Sequence, residues 1–105
     1  MTKKKEHKSY ENLKRQYPDY LDAVEAVGKA VRHAGPLDEK TIQLIQLGAA
    51  AAIHSEGAVH SHTRRAREAG ATSEQIRHTL ISLTSTLGFP TVVAAISWAE
   101  DVMGE

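Results

Sequence analysis

The chain has 105 residues, with 13 Lys and Arg against 13 Asp and Glu, six His and no Cys. That length argues for one small domain, and the neutral total removes the domain-wide basic excess that nucleic-acid binding favours. The lack of cysteine excludes disulfide frameworks, thiolate zinc sites, iron–sulfur clusters and every cysteine-based redox mechanism.

Charge is uneven along the chain. Lys3, Lys4, Lys5 and Lys8 against Glu6 give residues 1–8 a charge of +3, while residues 9–105 hold nine basic and twelve acidic side chains. Such a terminal run reads as a disordered basic tail. Its lack of aromatics gives nucleobases nothing to stack on, which argues against a nucleic-acid partner. The segment has no apolar h-region, so it is not a secretory signal. The longest apolar run, Leu47 to Ile53, falls far short of the ~20 residues needed to span a bilayer. A cytoplasmic protein without a membrane span is therefore expected.

Residues 9–105 read as a single helical domain. Tyr10, Leu13 and Tyr17 fit a short first helix, and Tyr20, Leu21, Val24, Val27 and Val31 recur at helical spacing between Pro18 and Gly35. Pro18 suits a first turn, and Gly35-Pro36 ends the element. Asp38 is an N-cap for the next helix, which carries Ile42, Leu44, Ile45, Leu47 and a run of alanines. It is apolar nearly all round through Ile53, so it should be central or covered by a partner chain. Ser55 suits the N-cap of a helix from Glu56 to Ala69, stopped by Gly70. Thr72 with Gln75 forms a capping box for another, with Ile76, Leu80, Leu83 and Leu87 as its buried stripe. Gly88-Phe89-Pro90 breaks that helix, and a last one carries Val92, Val93, Ile96, Ala99, Val102 and Met103. The expected fold is an all-α bundle of about five to six helices. Helices this apolar in so short a chain favour oligomerisation.

The residues with chemistry cluster at His54-Ser55-Glu56-Gly57-Ala58-Val59-His60-Ser61-His62. Glu56 and His60 are i,i+4 neighbours on one helix face. The bland reading of that pair is an exposed ion pair. His62 lies roughly 160° from His60, so a regular helix cannot offer both to one metal ion. It shares the face of Ser55, Ala58 and Val59, expected to look inward, where it is either a hydrogen-bonded core histidine or a site residue. Arg64, Arg65 and Arg67 follow, as anion ligands or as a solvated face. Trp98 reads as a packing or interface anchor. Ser61 has neither an Asp partner nor a glycine elbow, which argues against a serine hydrolase.

One ordered set of segments resembles a known family: Leu37-Asp38-Glu39-Lys40-Thr41, the alanine-rich helix, Glu56-Gly57, His62-Thr63-Arg64-Arg65-Ala66, Glu68-Ala69-Gly70-Ala71-Thr72, Gln75-Ile76 and Gly88-Phe89-Pro90. Over roughly residues 18–103 the chain is similar to the carboxymuconolactone decarboxylase and alkylhydroperoxidase-D-like family. The resemblance implies an all-α subunit in homotrimers or homohexamers. The peroxidase branch uses C-x-x-C-x-x-x-H. Aligned on His62, its cysteine positions hold Ser55 and Ala58, and the position of its relay glutamate holds Gln43. Without thiols there is no disulfide cycle, so the peroxidase mechanism is excluded.

The decarboxylase branch, which also lacks the cysteine pair, implies lyase-like chemistry on a small carboxylated metabolite. That chemistry needs an acid–base group and a cation for the substrate carboxylate. On this reading His62 is the catalytic group, with Glu56 or His60 orienting it and Arg64 or Arg65 binding the substrate. No cofactor is expected. The branch also carries histidines in its last helix, where this chain has Ala94 and Ser97. Two alternatives remain open. One is a non-catalytic oligomeric scaffold. The other is an intersubunit metal site in which Glu56 and His60 of one chain meet His54 or His78 of another.

Overall fold

The computed structural model describes the backbone of residues 2–104 and the side chains of residues 8–104. Among these residues the chain is helical throughout, in seven segments joined by short turns, with no strand. It divides into two compact units, Met1–Leu37 and Asp38–Glu105. The division falls after Leu37, just past Gly35-Pro36, where helix propagation stops.

The first unit holds α1 (Thr2–Gln16) and α2 (Pro18–Arg32). The basic run expected to be disordered has a helical backbone in α1, because Lys and Glu are good helix formers. Its side chains through residue 7, and any role for their charge, lie outside the described residues. Tyr17 is non-helical at φ −136°, as a residue before proline tends to be. The chain folds back there. Tyr10, seven residues before the turn, donates its hydroxyl hydrogen to Glu25, eight residues after it, and Lys14 Nζ lies 3.6 Å from the same carboxylate. Of the apolar positions spaced along α2, Leu21 is buried, whereas Tyr20, Val24, Val27 and Val31 are exposed. Within the unit, α1 offers them chiefly charged and polar side chains.

The second unit holds α3 (Glu39–Ala52), α4 (Glu56–Glu68), α5 (Ser73–Ile81), α6 (Thr84–Leu87) and α7 (Phe89–Met103). The three expected caps are present. Asp38 accepts from the Thr41 N–H at 2.8 Å, Ser55 Oγ accepts from the Ala58 N–H at 3.2 Å, and Thr72 with Gln75 completes a capping box. Leu47, Ala50, Ala51, Val59, Ala66, Ile76, Leu80, Ala95 and Ala99 form the core, with Trp98 packed at its edge. The many alanines let α3, α4 and α7 approach closely. On another side of α3, Gly48 makes room for Leu83 in the turn after α5, since a Cβ there would meet Leu83 Cδ1 at 3.3 Å.

Two features depart from the expected elements. The stripe Ile76-Leu80-Leu83-Leu87 spans two helices rather than one. Around the break, Ser82 Oγ donates to the Thr79 carbonyl and Thr84 Oγ1 to the Ile81 carbonyl, both at 2.7 Å. Such hydroxyls compete with the helix ladder. The end of α3 is a Schellman motif: Ser55 N–H donates to Ala50 O at 3.0 Å and His54 N–H to Ala51 O at 3.1 Å. His54 occupies its left-handed position, at φ +58°. Gly70 takes the same position after α4, at φ +101°.

Candidate functional site

Helix α4 carries most of the candidate residues, and its packing decides which way each one looks. Val59, His60, Thr63 and Ala66 are its buried positions, pressed mainly against α3 and α7. The sequence placed His60 in an exposed ion pair and His62 on the inward face. The structure buries His60, at 2% exposed, and leaves His62 half-buried against α3. The physical reason is that the face of α4 packed against α3 and α7 runs through Val59, His60, Thr63 and Ala66.

His62 is held from α3. Its Nδ1 lies 2.8 Å from Gln43 Oε1. Gln43 is 2% exposed, and its Nε2 donates to Glu39 Oε1, one turn earlier, at 3.1 Å. The Glu39 carboxylate only accepts, so it fixes which end of the Gln43 amide donates. The amide oxygen therefore faces His62, and Nδ1 must carry the ring proton. Nε2 is left as a lone pair with no protein hydrogen bond among the described residues. Burial, and next the positive charge of Arg65, push the His62 pKa below its ordinary value of 6.5. The neutral ring is thus the form present near neutral pH.

His60 belongs to a different group. Its Nε2 is 3.0 Å from Asp101 Oδ2 on α7 and 3.9 Å from Glu56 Oε2 one turn back. Asp101 did not stand out in the sequence, since an acidic residue near a chain end is usually a solvated one. Its pairing with a histidine 41 residues away has no sequence signal. His60 Nδ1 and Thr63 Oγ1 are buried without partners. Glu56 and His60 are therefore brought together with each other, but not with His62.

The arginines divide in the same way. Arg65 is three residues after His62, on its face, and is exposed. Arg64 is four residues after His60 and half-buried, with its Nη1 buried and unpartnered. Arg67 is tied to Ser73 Oγ at 2.8 Å. His54 sits in its turn and His78 is exposed on α5; neither joins Glu56 and His60 within this chain. An open apolar groove of about 410 Å³ between α3 and α5, lined by Leu44, Ile45, Gly48 and Leu83 among others, does not include His62. Among the described residues no helix is long and apolar enough to cross a membrane.

Residues 18–101 match the Carboxymuconolactone decarboxylase family. The chain belongs to the carboxymuconolactone decarboxylase family. An uncharacterized protein of Methanocaldococcus jannaschii is 30% identical over 95 residues, covering 90% of this chain and 89% of that one. An uncharacterized protein of Haemophilus influenzae is 37% identical over 59 residues, covering 56% of this chain and 52% of its own. The crystal structure of an apo carboxymuconolactone decarboxylase family protein from Legionella pneumophila superposes with a TM-score of 0.84 at 22% identity. It covers 97% of this chain and 91% of the other. At that identity the likeness speaks for the fold, and the all-helical architecture is that of a carboxymuconolactone decarboxylase family subunit. This family member has no cysteine anywhere in its sequence, so thiol chemistry is closed to it.

Proposed function

We propose that this protein binds a small carboxylated metabolite against α3 and α4 and transforms it by acid–base chemistry at His62, as a cysteine-less, lyase-like member of its family. The observation that carries this reading is the chain Glu39–Gln43–His62. It presets one tautomer of a half-buried imidazole and leaves Nε2 free to take up a proton and return it. A histidine that only filled space would not need a buried amide held in one orientation from two sides.

Arg65, on the same face, supplies the cation for the substrate carboxylate. In the reaction a carbon–carbon bond to a carboxylate breaks, carbon dioxide leaves, and the electron pair stays on the substrate carbon. Nε2, a lone pair in the resting ring, takes up a proton from water and passes it to that carbon, which returns the ring to its neutral form. Gln43 acts here as a positioning residue, where the peroxidase branch has an ionisable glutamate. Glu56 and His60 lie around the helix from this ring and take no part in the step.

The protein acts as a homotrimer or homohexamer. Supporting this, Ile45, Ile53, Ile81, Phe89 and Val93 are 45–73% exposed in the unit that carries the site, and association would remove such apolar side chains from water. A non-catalytic oligomeric scaffold is the second reading, favoured by the same exposed side chains.

The deciding experiment uses the full chain with carboxymuconolactone as reactant and benzoate as a non-reacting carboxylate. Decarboxylation lost in His62→Ala, together with benzoate binding weakened in Arg65→Ala, supports the proposal. Absence of turnover and of carboxylate binding in the wild type overturns it in favour of the scaffold. Light scattering at fixed concentration reports the oligomeric state independently.

A further inference from the structure

We propose that Glu56, His60 and Asp101 form a binding site for one divalent transition-metal ion, separate from His62 and contained within a single chain. The three side chains each offer one ligand atom, and these atoms lie within 4.8 Å of one another. A cation bound at ~2.0–2.2 Å to nitrogen and oxygen ligands, at angles between octahedral and somewhat wider than tetrahedral, separates its donors by about 3–4 Å. The distances from His60 Nε2, 3.0 Å to Asp101 and 3.9 Å to Glu56, fall in that range.

Charge gives a second, independent reason. Among the described residues no Lys or Arg pairs with Glu56 or Asp101; His60 is their shared partner. Asp101 Oδ2 lies within hydrogen-bond distance of His60 Nε2. Glu56 at 3.9 Å is beyond hydrogen-bond range, so two carboxylates converge on one imidazole, which can offset at most one of their two negative charges. A divalent ion supplies the missing charge.

Burial gives the site its form. His60 is the floor, with a side chain 2% exposed, while Glu56 at 35% and Asp101 at 54% are a rim that an ion reaches from solvent. The floor is fixed by the packing of α4 against α7, and the rim carboxylates adjust by rotamer. With metal bound, Nε2 is the ligand atom and the ring carries its proton at Nδ1. One imidazole with two carboxylates suits borderline first-row ions such as zinc, cobalt or nickel rather than magnesium or calcium, whose sites are built from oxygen. Three protein ligands leave the remaining positions to water.

The test uses the full chain without an affinity tag, dialysed against chelator and titrated with cobalt(II) while its visible ligand-field bands are followed, with zinc as competitor. One equivalent per chain is expected. Asp101→Asn and Glu56→Gln should each weaken binding at least tenfold, and both rim positions are open enough for these isosteric changes to leave the fold intact. A His54→Ala/His78→Ala double variant should bind as the wild type does, because neither histidine belongs to the set. No cobalt spectrum at millimolar metal, or Asp101→Asn and Glu56→Gln binding as tightly as the wild type, overturns the proposal. Loss of binding in the His54/His78 variant instead identifies an adventitious surface site and overturns it equally.

Discussion

Replacing Gln43 by Leu isolates the contribution of the amide that orients His62. The side chain is 2% exposed and makes two hydrogen bonds, at 2.8 Å to His62 and 3.1 Å to Glu39. Each is worth about 1 kcal/mol net, but the two losses are unequal in consequence. Glu39 is exposed and His62 is half-buried, so both released groups reach water and no polar atom is stranded in the core. Leucine keeps the volume of the site and no longer buries an amide, which offsets part of the loss. The expected cost is therefore about 1 kcal/mol, or roughly 4–8 °C in melting temperature for a domain of this size.

Gln43→Ala loses the same bonds and leaves a cavity as well, and should cost about 2–4 kcal/mol. Melting temperatures measured at one protein concentration give both numbers. Nitrogen-15 chemical shifts of the His62 ring give the informative readout. The wild type should show a single tautomer protonated at Nδ1, and Gln43→Leu a mixture. A wild-type ring protonated at Nε2, or a tautomer unchanged by Gln43→Leu, would refute the reasoning whatever the melting temperatures show.

Three further predictions address the frame. Hydrogen bonds from Thr41, first its hydroxyl and then its N–H, hold the Asp38 carboxylate below its ordinary pKa of 3.8. The cap's charged contribution is therefore complete above pH 3.8 and fades as pH falls through the lower folded value. Denaturation of Asp38→Asn against wild type should show a stability gap that varies with pH only in that acidic window. Leu80→Ala, at a site with 0% exposure, should cost about 2–5 kcal/mol in chemical denaturation. At the two left-handed helix ends the sign should reverse. His54→Gly relieves a strained φ of +58° and should raise stability by up to about 1 kcal/mol, whereas Gly70→Ala at φ +101° should lower it by about 1 kcal/mol or more.

The frame was legible because its signals are local. A cap is made within four residues, so Asp38, Ser55 and the Thr72–Gln75 pair could be placed from the sequence. The family resemblance likewise rested on an ordered set of short local segments, and the family match covers residues 18–101. The end of α3 was less legible, since its Schellman motif lacks the usual glycine. His54 looked like one more member of a histidine cluster, although its backbone conformation closes the helix.

The candidate site was legible only in part. Residue spacing correctly set His60 and His62 on different faces of α4, because a helix fixes angles between its own residues. It could not say which face is buried. The packing of α4 against α3 and α7 decided that, burying His60 and leaving His62 half-buried. Likewise the sequence alone excluded thiol chemistry, since a missing atom type is missing in any fold. What remains at the site depends on partners distant in the chain: Gln43 for His62, 19 residues away, and Asp101 for His60, 41 residues away. Such pairs are set by how helices pack, and helix packing is a property of the whole chain rather than of any segment within it.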